Sequence, residues 1–270
     1  MTGLAWLFIG AVCCPLVLAD IVLVENDPDN SDLALTWLRA YGYLRPTGDL
    51  TVESVAAAVL RMQNFMNVPE TGKVDEETLK VMKMPRCGVP DFEPDEDHTK
   101  SKRYSTTTAW PSNIRHIGYK IENYSSDMTN ADIESDFATA FQQWEDNCGL
   151  RFSKVTGDAI IMMKFTPDRD HGDAPFGVNT IAHAYYPSTT SHRGGDVHFN
   201  DARAFKKAGS ASSGNFDLQY ITLHELGHSI GLRHSDKTGV IMTPTYNENF
   251  RNSATLKSDD IAAARSLYGN

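Results

Sequence analysis

Between His224 and His234 the chain reads His-Glu-Leu-Gly-His-Ser-Ile-Gly-Leu-Arg-His. Two imidazoles four residues apart on a helix project from one face, about 6 Å from each other. That is the separation two ligands of one tetrahedral zinc require. Glu225 lies one position on, turned to the edge of the site, where its carboxylate can hold a metal-bound water without ligating the ion. Gly231 takes backbone conformations that other residues resist, so the helix ends there and the chain turns back to offer His234 as a third nitrogen. Three protein ligands leave a fourth position to water, the mark of a catalytic rather than a structural zinc. Any fold this chain adopts must therefore put a helix, a turn and a third imidazole around one point. Met242, eight residues beyond His234, is expected beneath the imidazoles as an apolar floor.

At 270 residues, the chain has room for about two small domains. Thirty-five acids against 25 bases give a net charge of −10, which argues against a nucleic-acid partner. Residues 1–19 read as a secretory signal: residues 4–18 form an apolar run too short to span a bilayer, ending in Val17-Leu18-Ala19. No later stretch is long and apolar enough to cross a membrane, so the product is expected to be secreted into the extracellular space. Cys13 and Cys14 leave with the signal and Cys87 and Cys148 remain, either as one bridge or as free thiols.

Residues 31–84 read as a small helical unit. Leu33, Leu35, Trp37, Leu38 and Tyr41 populate a first helix. Val52, Val55, Val59, Met62 and Met66 keep helical spacing after a Thr51 cap, and a third helix near Asp75 carries Leu79 and Met82. Residues 85–102 form a proline-bearing, charged linker that runs into Lys100-Ser-Lys-Arg103 before Tyr104. From Tyr104 the pattern becomes mixed. Strands are expected at 114–121, 150–155, 159–165, 180–186 and 196–199. A helix after Thr129 carries the stripe Ile133, Phe137, Ala140, Phe141 and Trp144. Further helices follow at 217–230 and after a Ser258 cap. Asn123-Tyr-Ser125 is a glycosylation sequon.

With Met242 and Ser235 directly after the third histidine, the extended motif resembles the metzincin zinc endopeptidases, and among them the matrix metalloproteinases, or matrixins. Pro85-Arg86-Cys87-Gly88-Val89-Pro90-Asp91 is similar, residue for residue, to the matrixin "cysteine switch". The resemblance implies that the Cys87 sulfur is the fourth zinc ligand in a latent zymogen and that Arg86 pairs with Asp91. A thiol on zinc is deprotonated outright and displaces the water, which favours a free Cys87 over the bridge. The implied fold is α+β: a small all-helical propeptide domain and a catalytic domain with a twisted, mostly parallel five-stranded sheet and three helices. The implied divisions are 1–19 signal, 20–103 propeptide and 104–270 catalytic domain. Cleavage between Arg103 and Tyr104 is expected, by an activating protease of proprotein-convertase type, and a solvated charge run is the alternative reading. The new N-terminus would pair with Asp259 or Asp260.

His171, Asp173, His183 and His198 resemble, in order, the family's structural zinc site. The chain departs from the family's calcium-binding pattern nearby: Asn200 and Arg203 stand where acids are usual, and Ile160 replaces another, so calcium is doubtful here. By the same resemblance, residues 180–186, Ala182 among them, form an edge strand that pairs with an extended substrate. Pro244 and Tyr246 wall the primed-side pocket, and Tyr220 sets its depth, suiting aliphatic P1′ residues. The resemblance stops near Tyr268, giving a minimal, matrilysin-like architecture without a hemopexin propeller. A monomer is expected, with extracellular-matrix proteins or other secreted proteins as substrates and inhibitors of the tissue-inhibitor type as possible partners. The rival is a zinc-stabilised module that binds peptides without cutting them, for which retention of Glu225 has no use.

Overall fold

The computed structural model describes residues 27–48, 50–93, 106–166, 176–177 and 179–270. The expected signal with Cys13 and Cys14, the 100–103 site with Tyr104, and His171 and Asp173 lie outside the described residues. The chain divides into two compact units, Met1–Met82 and Lys83–Asn270. Residues 83–93, read from sequence as linker and switch, therefore pack with the second unit. Among the described residues, no helix is long and apolar enough to cross a membrane.

The first unit holds helices α1 (Pro28–Ala40), α2 (Val52–Phe65) and α3 (Glu76–Met82). Asp27 caps α1 by accepting from the Asn30 amide at 3.1 Å. Thr51 and Ser54 cap α2 reciprocally, each side chain accepting from the other's backbone N–H. Ala34, Trp37 and Leu38 form the buried stripe of α1, while Leu33 and Leu35 flank it half-buried. Gln63 is fully buried in α2, a position the apolar pattern does not flag. Its amide nitrogen reaches the Thr71 and Thr78 hydroxyls and the Lys73 carbonyl, and its oxygen accepts from the Gly72 amide, so burial leaves no polar atom unmatched.

The second unit contains β1 (Arg86–Cys87), β2 (His116–Ile121), α4 (Asn130–Glu145), β3 (Arg151–Lys154), β4 (Ile161–Thr166), β5 (Thr180–Ala184) and β6 (Val197–Asn200). After these come β7 (Phe205–Lys206), β8 (Phe216–Asp217), α5 (Leu218–Ser229), a 3-10 turn (Glu248–Phe250) and α6 (Ser258–Tyr268). One sheet has the order β1-β5-β6-β4-β2-β3, parallel throughout except where β5 meets β6. The five expected strands are all in it. The sixth, β1, is the switch segment itself, and β7 pairs with β8 apart from this sheet.

The expected stripe of α4 is buried in full, with Phe141 stacked on Tyr119 at 3.9 Å and Phe137 on Phe199 at 5.3 Å between ring centroids. Helix α5 lacks a stripe because it is buried all round. Trp144 donates its indole N–H to the Leu223 carbonyl at 2.9 Å, and Ser229 Oγ donates to Gly195 O at 2.6 Å. The cap of α6 differs from the sequence reading: Lys257 stands at the cap, and Asp260 reaches back to accept from its N–H at 2.8 Å. Cys87 and Cys148 are both buried and free, so there is no bridge between them. The sequon asparagine is already occupied, since Asn123 donates to and accepts from the Phe165 backbone, each at 2.8 Å.

Candidate metal centre

Asp217 starts α5 by accepting from the Tyr220 amide at 2.9 Å. Twelve residues on, the helix ends as its glycine requires. Gly231 has φ +97°, and a Cβ there would lie 2.8 Å from the Thr108 carbonyl oxygen. The helix end is tied down from elsewhere in the unit: Trp110 donates its indole N–H to Ser229 O, and Tyr268 its hydroxyl to Ile230 O. The turn brings His234 to the two helix histidines. The three Nε2 atoms lie 3.2–3.3 Å apart.

The second nitrogen of each ring decides what that cluster means. His224 Nδ1 lies 2.7 Å from Ile241 O, His228 Nδ1 2.7 Å from Leu232 O, and His234 Nδ1 2.7 Å from Asp91 Oδ1. A carbonyl or carboxylate oxygen only accepts, so each Nδ1 carries the proton and each Nε2 presents a lone pair. Burial pushes all three pKa values down, His224 to about 3, which keeps the rings neutral. Three lone pairs facing one another at hydrogen-bond distance have no donor between them. A cation fits that arrangement, and neutral imidazoles with outward-bonded Nδ1–H groups suit zinc.

Cys87 completes the set. Its Sγ lies 3.5 Å from His228 Nε2 and 3.4 Å from Glu225 Oε2, and the four donors lie within 4.8 Å of one another. Burial pushes the Glu225 carboxyl up to about 8, although the thiol's hydrogen bond works the other way. Burial and the neighbouring Glu225 raise the Cys87 thiol. Met242 is buried beneath the helix against Gly227. Asp260 accepts from the backbone N–H groups of Ile241 and Met242, at 3.0 and 3.1 Å. It thereby fixes both the floor and the carbonyl that orients His224. Asp259 accepts from Ser235 Oγ at 3.0 Å and pairs with Lys237.

Residues 85–88 lie extended between two walls. Arg86 N–H donates to Asn179 O at 3.0 Å and Gly88 N–H to Ala182 O at 2.8 Å on the β5 side. On the other side, Cys87 N–H donates to Pro244 O and Tyr246 N–H to Pro85 O, at 2.9 and 2.8 Å. Gly88 allows this approach, because a Cβ there would sit 2.9 Å from Thr180 Cγ2. A small recess opens beside Glu225, lined by Cys87, Ile181, Tyr220, Pro244 and Tyr246 among others. The rings of Tyr220 and Tyr246 lie 5.1 Å apart, and Tyr220 Oη accepts from the Asn247 amide at 3.3 Å.

The expected second metal group is only half described. His183 Nε2 and His198 Nδ1 approach to 3.1 Å, a distance that a simple hydrogen bond also satisfies. At two positions where the family carries acids, the side chains present nitrogen donors. Asn200 Nδ2 and Arg203 Nε both donate to Thr180 O, at 2.9 and 3.3 Å, so an internal cation already serves that carbonyl.

Fold and centre together define a chain built around three buried imidazoles and an internal thiol that could hold one metal ion. The family described as Matrixin matches residues 109–269, and a putative peptidoglycan-binding domain matches residues 33–82. The chain is 38% identical over 211 residues to macrophage metalloelastase of Rattus norvegicus, covering 77% of this chain and 42% of that protein. It is 38% identical over 212 residues to interstitial collagenase of Oryctolagus cuniculus, covering 77% and 42%. With interstitial collagenase of Equus caballus it shares 34% identity over 254 residues, covering 91% and 50%. The chain belongs to the matrixin family. It spans about half the length of the curated relatives it matches, at 42–50% of each.

Sequence reasoning paired Asp91 with Arg86 but missed its bond to His234, and it missed Asp260 as the anchor of the Met242 turn. The acids were visible; their partners, 143 and 18 residues away, were not.

Proposed function

We propose that this chain is a secreted zinc endopeptidase made as a latent zymogen and directed at extracellular-matrix or other secreted proteins. The observation that carries the reading is Glu225, whose carboxylate stands 3.4 Å from the atom in the fourth donor position. His224, His228 and His234 would hold the zinc, with Cys87 as fourth ligand until the switch leaves. Bound zinc supplies a Lewis acid and an acidified water. Glu225 would accept a proton from the attacking water on its carboxylate and return it to the leaving nitrogen. The walls at β5 and 244–246 align an extended peptide through backbone hydrogen bonds, as they do residues 85–88. Tyr220 and Tyr246 narrow the recess beside Glu225, which favours aliphatic P1′ side chains such as Leu.

Secretion, cleavage between Arg103 and Tyr104, a structural zinc held by His171, Asp173, His183 and His198, an activating protease, and inhibitors of the tissue-inhibitor type belong to the same proposal through family resemblance. So do the divisions at 19/20 and 103/104.

The test is cleavage of a quenched peptide with Leu at P1′, before and after alkylating Cys87 in the purified chain. The expected chain is silent, switches on after alkylation, and falls silent again with a zinc chelator. Glu225→Ala is expected to keep zinc and fold while losing nearly all turnover. Zinc retention with no cleavage after alkylation of the unsubstituted chain would favour the non-catalytic peptide-binding reading instead.

A further inference from the structure

We infer that Asp91 is a positioning residue for the metal ligand His234, so that residues 85–91 grip the metal centre at two points, the Cys87 sulfur and the His234 ring. The inference rests on the zinc reading above and goes beyond the thiol switch.

The three imidazoles are not oriented alike. His224 and His228 direct their Nδ1–H groups to Ile241 O and Leu232 O, neutral carbonyls from the neighbourhood of the active-site helix. His234 directs its Nδ1–H to a carboxylate, and that carboxylate lies in the switch segment. One oxygen, Asp91 Oδ1, accepts from both His234 Nδ1 and Arg86 Nη2, each at 2.7 Å, with all three side chains fully buried. An anionic acceptor makes a stronger hydrogen bond than a carbonyl. It also draws the ring proton toward itself, which enriches Nε2 and strengthens its bond to a metal. Arg86 also donates Nε–H to Cys87 O at 3.1 Å, so the side chain that pairs with the Asp91 carboxylate is itself tied to the cysteine backbone.

Removing residues 85–91 would therefore strip two things from the centre. The thiol vacates the fourth position, and His234 loses its anionic partner while His224 and His228 keep their carbonyl partners. The metal is held most tightly in the latent chain and becomes more electron-poor, hence more electrophilic, once the segment is gone. A role confined to the Arg86 pair predicts none of this.

The test uses the full chain carrying Glu225→Gln, to prevent self-processing, loaded with Co²⁺. The thiolate-to-cobalt charge-transfer band reports Cys87 ligation, and its decay in excess EDTA, with that of the visible cobalt bands, reports metal loss. Asp91→Asn keeps the shape and the acceptor oxygen but removes the charge. Arg86→Gln/Asp91→Asn removes both charges together, so no uncompensated buried cation threatens folding. Both are expected to retain the charge-transfer band and to lose metal 10–100-fold faster, the usual range for outer-sphere ligand partners. Metal loss at the parent's rate in both variants overturns the inference. So does a charge-transfer band that disappears in step with the acceleration, because Asp91 would then act only by holding Cys87. A parent without the band would sink the reading of Cys87 as ligand, while the visible bands of the same variants still decide the role of Asp91.

Discussion

Replacing Gly231 with Ala tests whether backbone conformation, rather than the histidines themselves, brings the third imidazole into place. Gly231 sits at φ +97°, a region side-chain-bearing residues enter at a cost of about 1–3 kcal/mol. A Cβ would also lie 2.8 Å from the Thr108 carbonyl oxygen and 3.3 Å from Leu267 Cδ1. Contacts that close force a shift of packed backbone, for about 1–3 kcal/mol more. Against this, Ala restricts the unfolded chain and returns about 0.4–1 kcal/mol. The net expected cost is about 1–5 kcal/mol, centred on ~3, a large part of the usual ~5–15 kcal/mol stability. Gly239 is the built-in control: its φ is +76°, but nothing lies within 4 Å of its Cβ position. Gly239→Ala should therefore cost only about 1 kcal/mol, from strain alone. Equilibrium urea unfolding, read by near-UV circular dichroism, measures both. Equal costs for the two substitutions would refute the Thr108 contact as a determinant of the turn. A neutral Gly231→Ala would refute the conformational argument as well.

Other expectations follow from the same kind of reading. Burial first, then the nearby Asp217, pushes the Asp136 carboxyl up to about 6 against an unfolded value near 3.8. The folded chain then binds this proton more tightly than the unfolded chain. The destabilisation is absent below about pH 4, grows as pH rises through 4–6 and is complete above. Asp136→Asn should stabilise the chain by about 1–3 kcal/mol at pH 7.5 and by close to nothing at about pH 3, checked by urea midpoints at both values. Because Arg203 and Asn200 already serve Thr180 O, calcium chelation in zinc-buffered solution should leave the melting temperature unchanged, whereas Arg203→Ala should lower it. Tyr220→Val should deepen the recess and raise kcat/KM for long P1′ side chains relative to Leu by about 10–100-fold, measured on a matched peptide pair.

Much of this molecule is written locally. His224, Glu225, His228, Gly231 and His234 fall within eleven residues, so helical periodicity and one glycine already bring the donors close before any tertiary contact is made. The stripe of α4 is legible for the same reason, since a one-sided helix displays its buried face as a period. Helix α5, buried on every side, has no such period to read, and only its histidine spacing marks it in the sequence. Gln63 escaped because a buried amide is stable only when four partners from a later loop and helix are in place, and no local pattern encodes them.

What only the tertiary structure decided is which long-range groups finish the centre. The sequence by itself determined the donor types, their spacing, the carboxylate beside them and the thiol. It could not determine that β1 would join the sheet at β5, or that Asp260 would hold the 241–242 turn whose carbonyl orients His224. Nor could it show one Asp91 oxygen shared between Arg86 and His234. Spacing fixes which side chains share a face of one element. A 2.7 Å contact between groups 143 residues apart is fixed only when every intervening element has packed.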